Sequence, residues 1–318
     1  MAGDGIEAST NAGTRVEFSV SDRGRVVNTG RMALDTNRYR QGDISEAPLV
    51  SCLMVTQDRP DLAARSIQCF LAQSYPNREL IIIDDGTSDQ LQRGIEAICL
   101  PSIKWHRLPR SKFNLGELRN VAVENSAGRY VCQWDDDDLC DPDRLSVQMA
   151  AITSLSADAC FLSRQQLWWP QRRTLAISTR RIWEGTMICA KDKTPRYPAL
   201  RRGEDTPLAY HVWRTARVVM LDQPGLYTYV CHGANSFDES HFAQHFAAAT
   251  ECWTGDDYDV QLNRLGSRVP IDIAGALPGT SQSATEHDDL DRRSAETLSA
   301  PPVVADRGPT VRVEGSQR

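Results

Sequence analysis

Four consecutive carboxylates, Asp135-Asp136-Asp137-Asp138, follow the apolar, β-prone stretch Tyr130-Val131-Cys132-Gln133-Trp134. Four such charges repel one another unless a cation sits among them. Hard oxygen donors suit Mg²⁺ or Mn²⁺ better than zinc, so the pattern points to a divalent metal carrying a phosphate, with a solvated acidic turn as the plain alternative. A second acidic pair, Asp84-Asp85, ends the apolar run Glu79-Leu80-Ile81-Ile82-Ile83 and leads into Gly86-Thr87-Ser88. If both runs are parallel strands of one sheet, their acids share its carboxyl edge, where open α/β sheets bind ligands. One cluster could then hydrogen-bond ribose or base while the other holds the cation that neutralises a diphosphate.

The elements that position these acids alternate. Leu49 to Val55 reads as a strand buried on both faces. A helical stripe of Leu62, Ile67, Phe70 and Leu71 follows, with Asp58 as the expected cap and Pro60 in the first turn. After the strand at Glu79 come a helix from Asp89 to Cys99, a short strand Ile103 to Arg107, a helix from about Leu115 to Asn125, and Ala127-Gly128 as its stop before the strand at Tyr130. This alternation implies a parallel sheet with right-handed crossovers. Beyond Pro142-Asp143-Arg144-Leu145 a helix is expected to about Leu155. Phe161 to Trp169 and Arg173 to Ser178 read as a hairpin in a less regular subdomain.

Of the 318 residues, those from 1 to 47 lack a sustained apolar period and read as a disordered arm, and those from 255 to 318 as a disordered tail. The domain between them, 48–254, divides into a nucleotide-binding half, 48–145, and an acceptor half, 146–254. All nine cysteines lie inside it, their number is odd and no CxxC pair occurs, which fits buried free thiols in a reducing compartment. No run is long enough to span a bilayer and no signal-peptide pattern opens the chain, so the expected location is cytoplasmic, with peripheral membrane association left open. A net charge of −6 without a Lys/Arg cluster argues against nucleic acid as a partner.

The segments Val55-Thr56-Gln57-Asp58-Arg59-Pro60, Glu79 to Gly86, Gly116-Glu117-Leu118-Arg119-Asn120, Ala127-Gly128-Arg129-Tyr130 and Asp135 to Leu139 with Pro142-Asp143-Arg144-Leu145 resemble the ordered landmarks of family 2 glycosyltransferases. The resemblance covers about Pro48 to Ala249. It implies the GT-A fold: an α/β architecture with a mostly parallel nucleotide-binding sheet flanked by helices, and a smaller mixed acceptor-side subdomain. It further implies a DxD motif in which Asp135 and Asp136 face the nucleotide sugar and Asp137 ligates Mn²⁺ or Mg²⁺. Thr56, Arg59 and Asp85 would contact the nucleoside, with Arg119 beside them. Glu204-Asp205, followed by Leu208 to Trp213, is similar to the family's acceptor-side acidic pair, which implies Asp205 as general base and Glu204 as its orienting neighbour or alternative. His232, in Tyr229 to Ser236, would complete the metal sphere or contact phosphate. The implied partners are a nucleoside-diphosphate sugar, with a UDP-sugar favoured, and a glycan, lipid-linked or small-molecule acceptor.

Two tempting features have plainer readings. His241 and His245 fit an amphipathic helix end better than a metal pair, because no third ligand is evident. Trp168-Trp169 and Trp183 fit core packing at least as well as sugar stacking. Three alternatives differ in class. A sugar nucleotidyltransferase would carry a Gly-rich phosphate loop after its first strand, and none is present here. A calcium-binding EF-hand from Asp135 would need glycine at position 140 and glutamate at 146, where Cys140 and Ser146 stand. A catalytically degenerate nucleotide-binding or scaffold protein would keep the same motifs.

Overall fold

The near-continuous apolar runs of the first half become a parallel block at one end of a large mixed sheet. The computed structural model describes residues 14–36, 39, 47–110 and 112–271. In chain order the strands are β1 (Thr14–Asp22), β2 (Arg25–Leu34), β3 (Val50–Thr56), β4 (Arg78–Asp84), β5 (Ile103–Arg107), β6 (Tyr130–Gln133) and β7 (Leu139–Cys140), then β8 (Ala159–Leu162), β9 (Gln166–Trp169), β10 (Thr174–Ile177), β11 (Ile188–Ala190), β12 (Arg217–Asp222), β13 (Tyr227–Val230) and β14 (Glu251–Trp253). The helices are α1 (Pro60–Leu71), α2 (Gln90–Ile98), α3 (Leu115–Glu124), α4 (Arg144–Ser154), α5 (Asp205–Thr215), α6 (Glu239–Ala247) and α7 (Gly255–Arg268). Among the described residues, nine strands form one sheet in the order β2-β1-β12-β8-β11-β6-β3-β4-β5, and five form a smaller one in the order β14-β10-β9-β13-β7. No described helix is long and apolar enough to cross a membrane.

Register brings the acids together. Strands β3 and β4 pair in parallel with Thr56 opposite Asp84, and β6 pairs with β3 as far as Leu53 opposite Gln133. The chain after Gln133 therefore emerges at the same edge as the ends of β3 and β4. Trp134, fully buried, anchors that exit: its indole N–H donates to the Ser66 carbonyl at 3.2 Å, Phe70 meets it edge-on with centroids 6.1 Å apart, and the Arg144 guanidinium lies 5.2 Å from its ring. A buried aromatic of this size removes about 150–250 Å² from water, roughly 4–6 kcal/mol at about 25 cal/mol per Å². Helix α3 starts with a capping box, Asn114 and Glu117 each bonding the other's backbone N–H. A Cβ on Gly116 would meet the Pro198 carbonyl oxygen at 1.8 Å, so only glycine lets the chain before α5 pass this close to α3.

Both expected tails are shorter than composition implied. Residues 14–34 form a hairpin, β1–β2, whose first strand pairs with β12 from Glu17 opposite Asp222 to Asp22 opposite Arg217 and buries Val16 and Val20. The apolar content of this segment is small because β12, two hundred residues away, supplies the partner surface. The tip is Arg23-Gly24, both with positive φ (49° and 79°), a two-residue turn lacking the usual Asn-Gly signature. At the other end, residues 255–268 form helix α7, which inserts Tyr258 and Leu265 beneath the small sheet. Trp168 Nε1–H donates to the Tyr258 hydroxyl at 3.1 Å. The remaining residues of both expected tails, 1–13, 37–38, 40–46 and 272–318, lie outside the described residues.

Two local readings also change. Asp58 does not cap α1; its carboxylate accepts from the backbone N–H groups of Thr87 and Ser88 at 2.7 and 3.0 Å, tying the first βα loop to the second, while Pro60 does occupy the first turn. The run Phe161 to Trp169 divides between the two sheets: Ala159–Leu162 belongs to the large one, and the hairpin is Gln166–Trp169 with Thr174–Ile177.

Candidate active site

The four acids after β6 have four different surroundings. Asp135 accepts from Arg119 at 2.8 Å and from Gln133 at 3.2 Å. Asp136 pairs with Arg59 at 2.6 Å, and its second oxygen is buried without a partner among the described residues. Burial, with Asp137 adding to it and Arg59 opposing, pushes the Asp136 carboxyl up to about 7. Asp137 pairs with the other Arg59 nitrogen at 2.9 Å and with His232 Nε2 at 3.1 Å. Burial alone would raise its carboxyl, but the His232 hydrogen bond and the Arg59 charge outweigh it and hold Asp137 below the usual carboxylate range. Asp138 accepts from the Tyr227 hydroxyl at 2.5 Å and the Val230 backbone N–H at 2.9 Å, so it fastens β13 to the acid run and does not face the cleft as an open ligand.

The ends of β3 and β4 contribute in the same split manner. Asp84 accepts from the Gly86 N–H, Trp105 and Arg107 and closes the strand-to-helix turn. Asp85, raised by burial and by Asp84, accepts from Gln57 at 2.9 Å at the cleft wall. The Thr56 hydroxyl beside it is buried, lies against Asp136 and lines the same cleft.

Across from these acids stands the start of α5. Glu204 is buried and accepts from Arg119 Nε at 2.5 Å, so one guanidinium bridges Glu204 and Asp135. Asp205, half-buried, has only a long contact from Gln133 at 3.4 Å. Burial, then Glu204 and Glu184, push its carboxyl up to about 7 against the pull of Arg119. An open cleft of about 520 Å³ is lined at once by Thr56, Arg59, Asp85, Arg119, Asp135–138, Glu204 and Asp205. Every sequence-expected site residue except His232 lines it, and His232 reaches its wall through Asp137.

His232 differs from the metal-ligand expectation. Its Nδ1 accepts from the Ala234 N–H at 3.3 Å, which leaves the proton on Nε2 and makes that nitrogen a donor to Asp137. Among the described residues no three His, Cys, Asp or Glu side chains converge as a closed metal cage. A site with one or two carboxylates open to a ligand suits Mg²⁺ or Mn²⁺ completed by phosphate oxygens and water. Arg119 reaches Glu204 and Asp135 and lines the cleft with Thr56 and Asp85.

Residues that sequence reasoning did not single out include Gln133, Gln57 and Tyr227. Gln133 touches both Asp135 and Asp205, and as the last residue of β6 its side chain falls where its neighbours' acids gave the only chemical signal. His241 and His245 face each other on α6 with their Nε2 atoms 3.1 Å apart, and Trp168, Trp169 and Trp183 are buried.

Residues 51–193 match glycosyl transferase family 2. The chain is 39% identical over 107 residues to WcaA, a glycosyl transferase assigned to colanic acid biosynthesis in Escherichia coli; the match spans 32% of this chain and 37% of that protein. Over 102 residues it is 29% identical to the succinoglycan biosynthesis protein ExoO of Rhizobium meliloti, spanning 32% of this chain and 29% of the relative. The matched segments thus span only 29–37% of these relatives' own length. Residues 1–349 of TarS from S. aureus, in a crystal structure with UDP-GlcNAc, share the fold with a TM-score of 0.51 at 18% identity, covering 71% of this chain and 68% of that one. Glu204, Asp205 and His232 lie beyond the family-matched segment.

Proposed function

As residues 51–193 belong to glycosyl transferase family 2 and the fold is GT-A, we propose that this protein moves a sugar from a nucleoside-diphosphate sugar, with a UDP-sugar favoured, to an acceptor hydroxyl with inversion. The observation that carries this reading is Asp205: it shares one cleft with the acids of β6, it lacks the ion pair that occupies Glu204, and its carboxyl is pushed up to about 7. A base poised near neutrality takes a hydroxyl proton efficiently and holds it afterwards.

Thr56, Asp85 and Gln57 bind the nucleoside, and Asp135 and Asp136 face the nucleotide sugar. Arg119 pairs with Glu204 and holds it in place, and Glu204 in turn raises Asp205. Asp205 takes the proton as the acceptor oxygen attacks the anomeric carbon from the face opposite the departing diphosphate. Asp137 would hold Mn²⁺ or Mg²⁺, and His232 would orient that carboxylate as an outer hydrogen-bond donor. Such an ion, when bound, neutralises the leaving diphosphate.

Two measurements on the purified protein test the reading. Thermal shifts with nucleoside diphosphates and Mn²⁺ are expected to reach several degrees, since ligand at a hundredfold excess over its Kd adds about 2.7 kcal/mol, and to vanish in Asp137→Ala. Asp205→Asn is expected to keep that shift while transfer and donor hydrolysis fall by about 10²–10⁴. Near-normal transfer by Asp205→Asn would remove it as the base; absence of any nucleotide shift would favour a scaffold.

A further inference from the structure

Three of the seven large apolar side chains exposed among the described residues sit around the cleft: Phe113 (38% exposed), Leu200 (41%) and Phe237 (38%). Phe113 precedes α3 and Leu200 precedes α5, on loops pinned together by the Gly116 N–H donating to the Leu200 carbonyl at 3.0 Å. Arg110, Lys112, Arg201 and Arg202 flank these two residues, all exposed, and no Asp or Glu occurs in 109–113 or 198–203. Arg110 pairs with Asp58 at 3.2 Å and Arg202 donates to the Ser236 carbonyl at 3.1 Å. Lys112 and Arg201 have no ion-pair partner among the described residues. This cationic ridge stands on a chain of net charge −6, a local charge opposite in sign to that of the molecule as a whole.

We propose that this rim docks on an anionic lipid bilayer and that the acceptor hydroxyl is carried by a lipid-borne molecule, the second statement resting on the glycosyltransferase reading. Cations alone would suit any polyanion, but an exposed Leu and Phe set among them gain by entering the boundary between headgroups and acyl chains, where the basic side chains meet anionic lipid. The geometry gives the dock a purpose. Arg201 and Arg202 are continuous in sequence with Glu204 and Asp205 and line the same cleft, so a surface pressed against this rim brings its headgroups to the proposed base.

The test is co-sedimentation of the full chain with phosphatidylcholine vesicles, with and without phosphatidylglycerol, for wild type and for Lys112→Glu combined with Leu200→Ser. Neither residue lines the cleft. Wild type is expected to bind the anionic vesicles, less at high salt, and the double variant to bind at least about tenfold more weakly, since each basic residue near an anionic surface is worth about a fivefold factor. Its Mn²⁺-dependent nucleotide shift should be unchanged. Equal binding to neutral and anionic vesicles, no vesicle binding, wild-type binding by the variant, or preference for heparin over vesicles would each overturn the dock. A nucleotide shift without vesicle binding leaves the enzyme reading standing; vesicle binding without a nucleotide shift leaves the dock and removes the enzyme.

Discussion

At the end of β6 every carboxylate has a cationic or hydrogen-bonding partner, whereas at the start of α5 the strong partner serves Glu204 and leaves Asp205 with a single long contact. The first arrangement gathers carboxylates already held by the Arg59 and Arg119 guanidiniums and by hydrogen bonds from His232 and Tyr227, and these can be handed to an incoming cation. The second isolates one carboxylate beside a salt-bridged acid, the condition under which a proton acceptor sits near neutral pH. Adjacent acids therefore do different work according to which of them the surrounding cations reach. Arg119 belongs to both groups, so it is the residue through which the contrast can be broken.

The largest effect is expected there. Arg119→Met leaves Glu204 buried without its cation, and breaking a buried pair from one side costs about 3–5 kcal/mol. Urea denaturation should show that loss, and Arg119→Met with Glu204→Gln should recover much of it, because the double change removes the stranded charge. No recovery would mean that Arg119 holds the fold through Asp135 and its packing over Tyr197 instead. A smaller loss should follow Tyr227→Phe, which strips the hydroxyl from buried Asp138 and costs about 1–3 kcal/mol. The sharpening outcome is that the nucleotide shift survives, since Asp138 fastens β13 and is not counted among the groups holding donor; a lost shift would move Asp138 into the donor site.

The same contrast explains what could be read from the chain alone. Strands β3, β4 and β6 lie within a residue or two of their expected positions because each is a short apolar run bounded by turn residues, β5 matches as the alternating run Ile103-Lys104-Trp105-His106-Arg107, and the parallel order then puts Asp85 and Asp135 on one edge. Which acid does what was not legible, since the partners that sort them, Arg59, Tyr227 and His232, come from loops and strands up to 95 residues away in sequence. Asp58 looked like a cap because it precedes Pro60, yet the second βα loop outbids the helix for its carboxylate. The hairpin of residues 14–34 and helix α7 were missed for one reason: each buries only a few side chains of its own, against β12 and Trp168, and a local window sees a polar segment.

The smallest effect per step, about tenfold per pH unit, tests the α5 side most directly. Asp205 must be ionised to accept a proton, and its carboxyl is raised to about 7 by burial, Glu204 and Glu184. Transfer measured as kcat/KM should therefore rise tenfold per unit from about pH 5 and level off above about 7. Glu184 offers the control: its side chain accepts from Thr206 at 3.2 Å and pairs with Arg181, so it acts on Asp205 through charge without sharing its contacts. Removing that charge in Glu184→Gln makes the ionised form of Asp205 easier to reach, and the acid limb should move to lower pH with the plateau rate kept. A limb that stays in place while the plateau falls would make Glu184 a positioning group for α5, and would trace the limb to another group in the cleft.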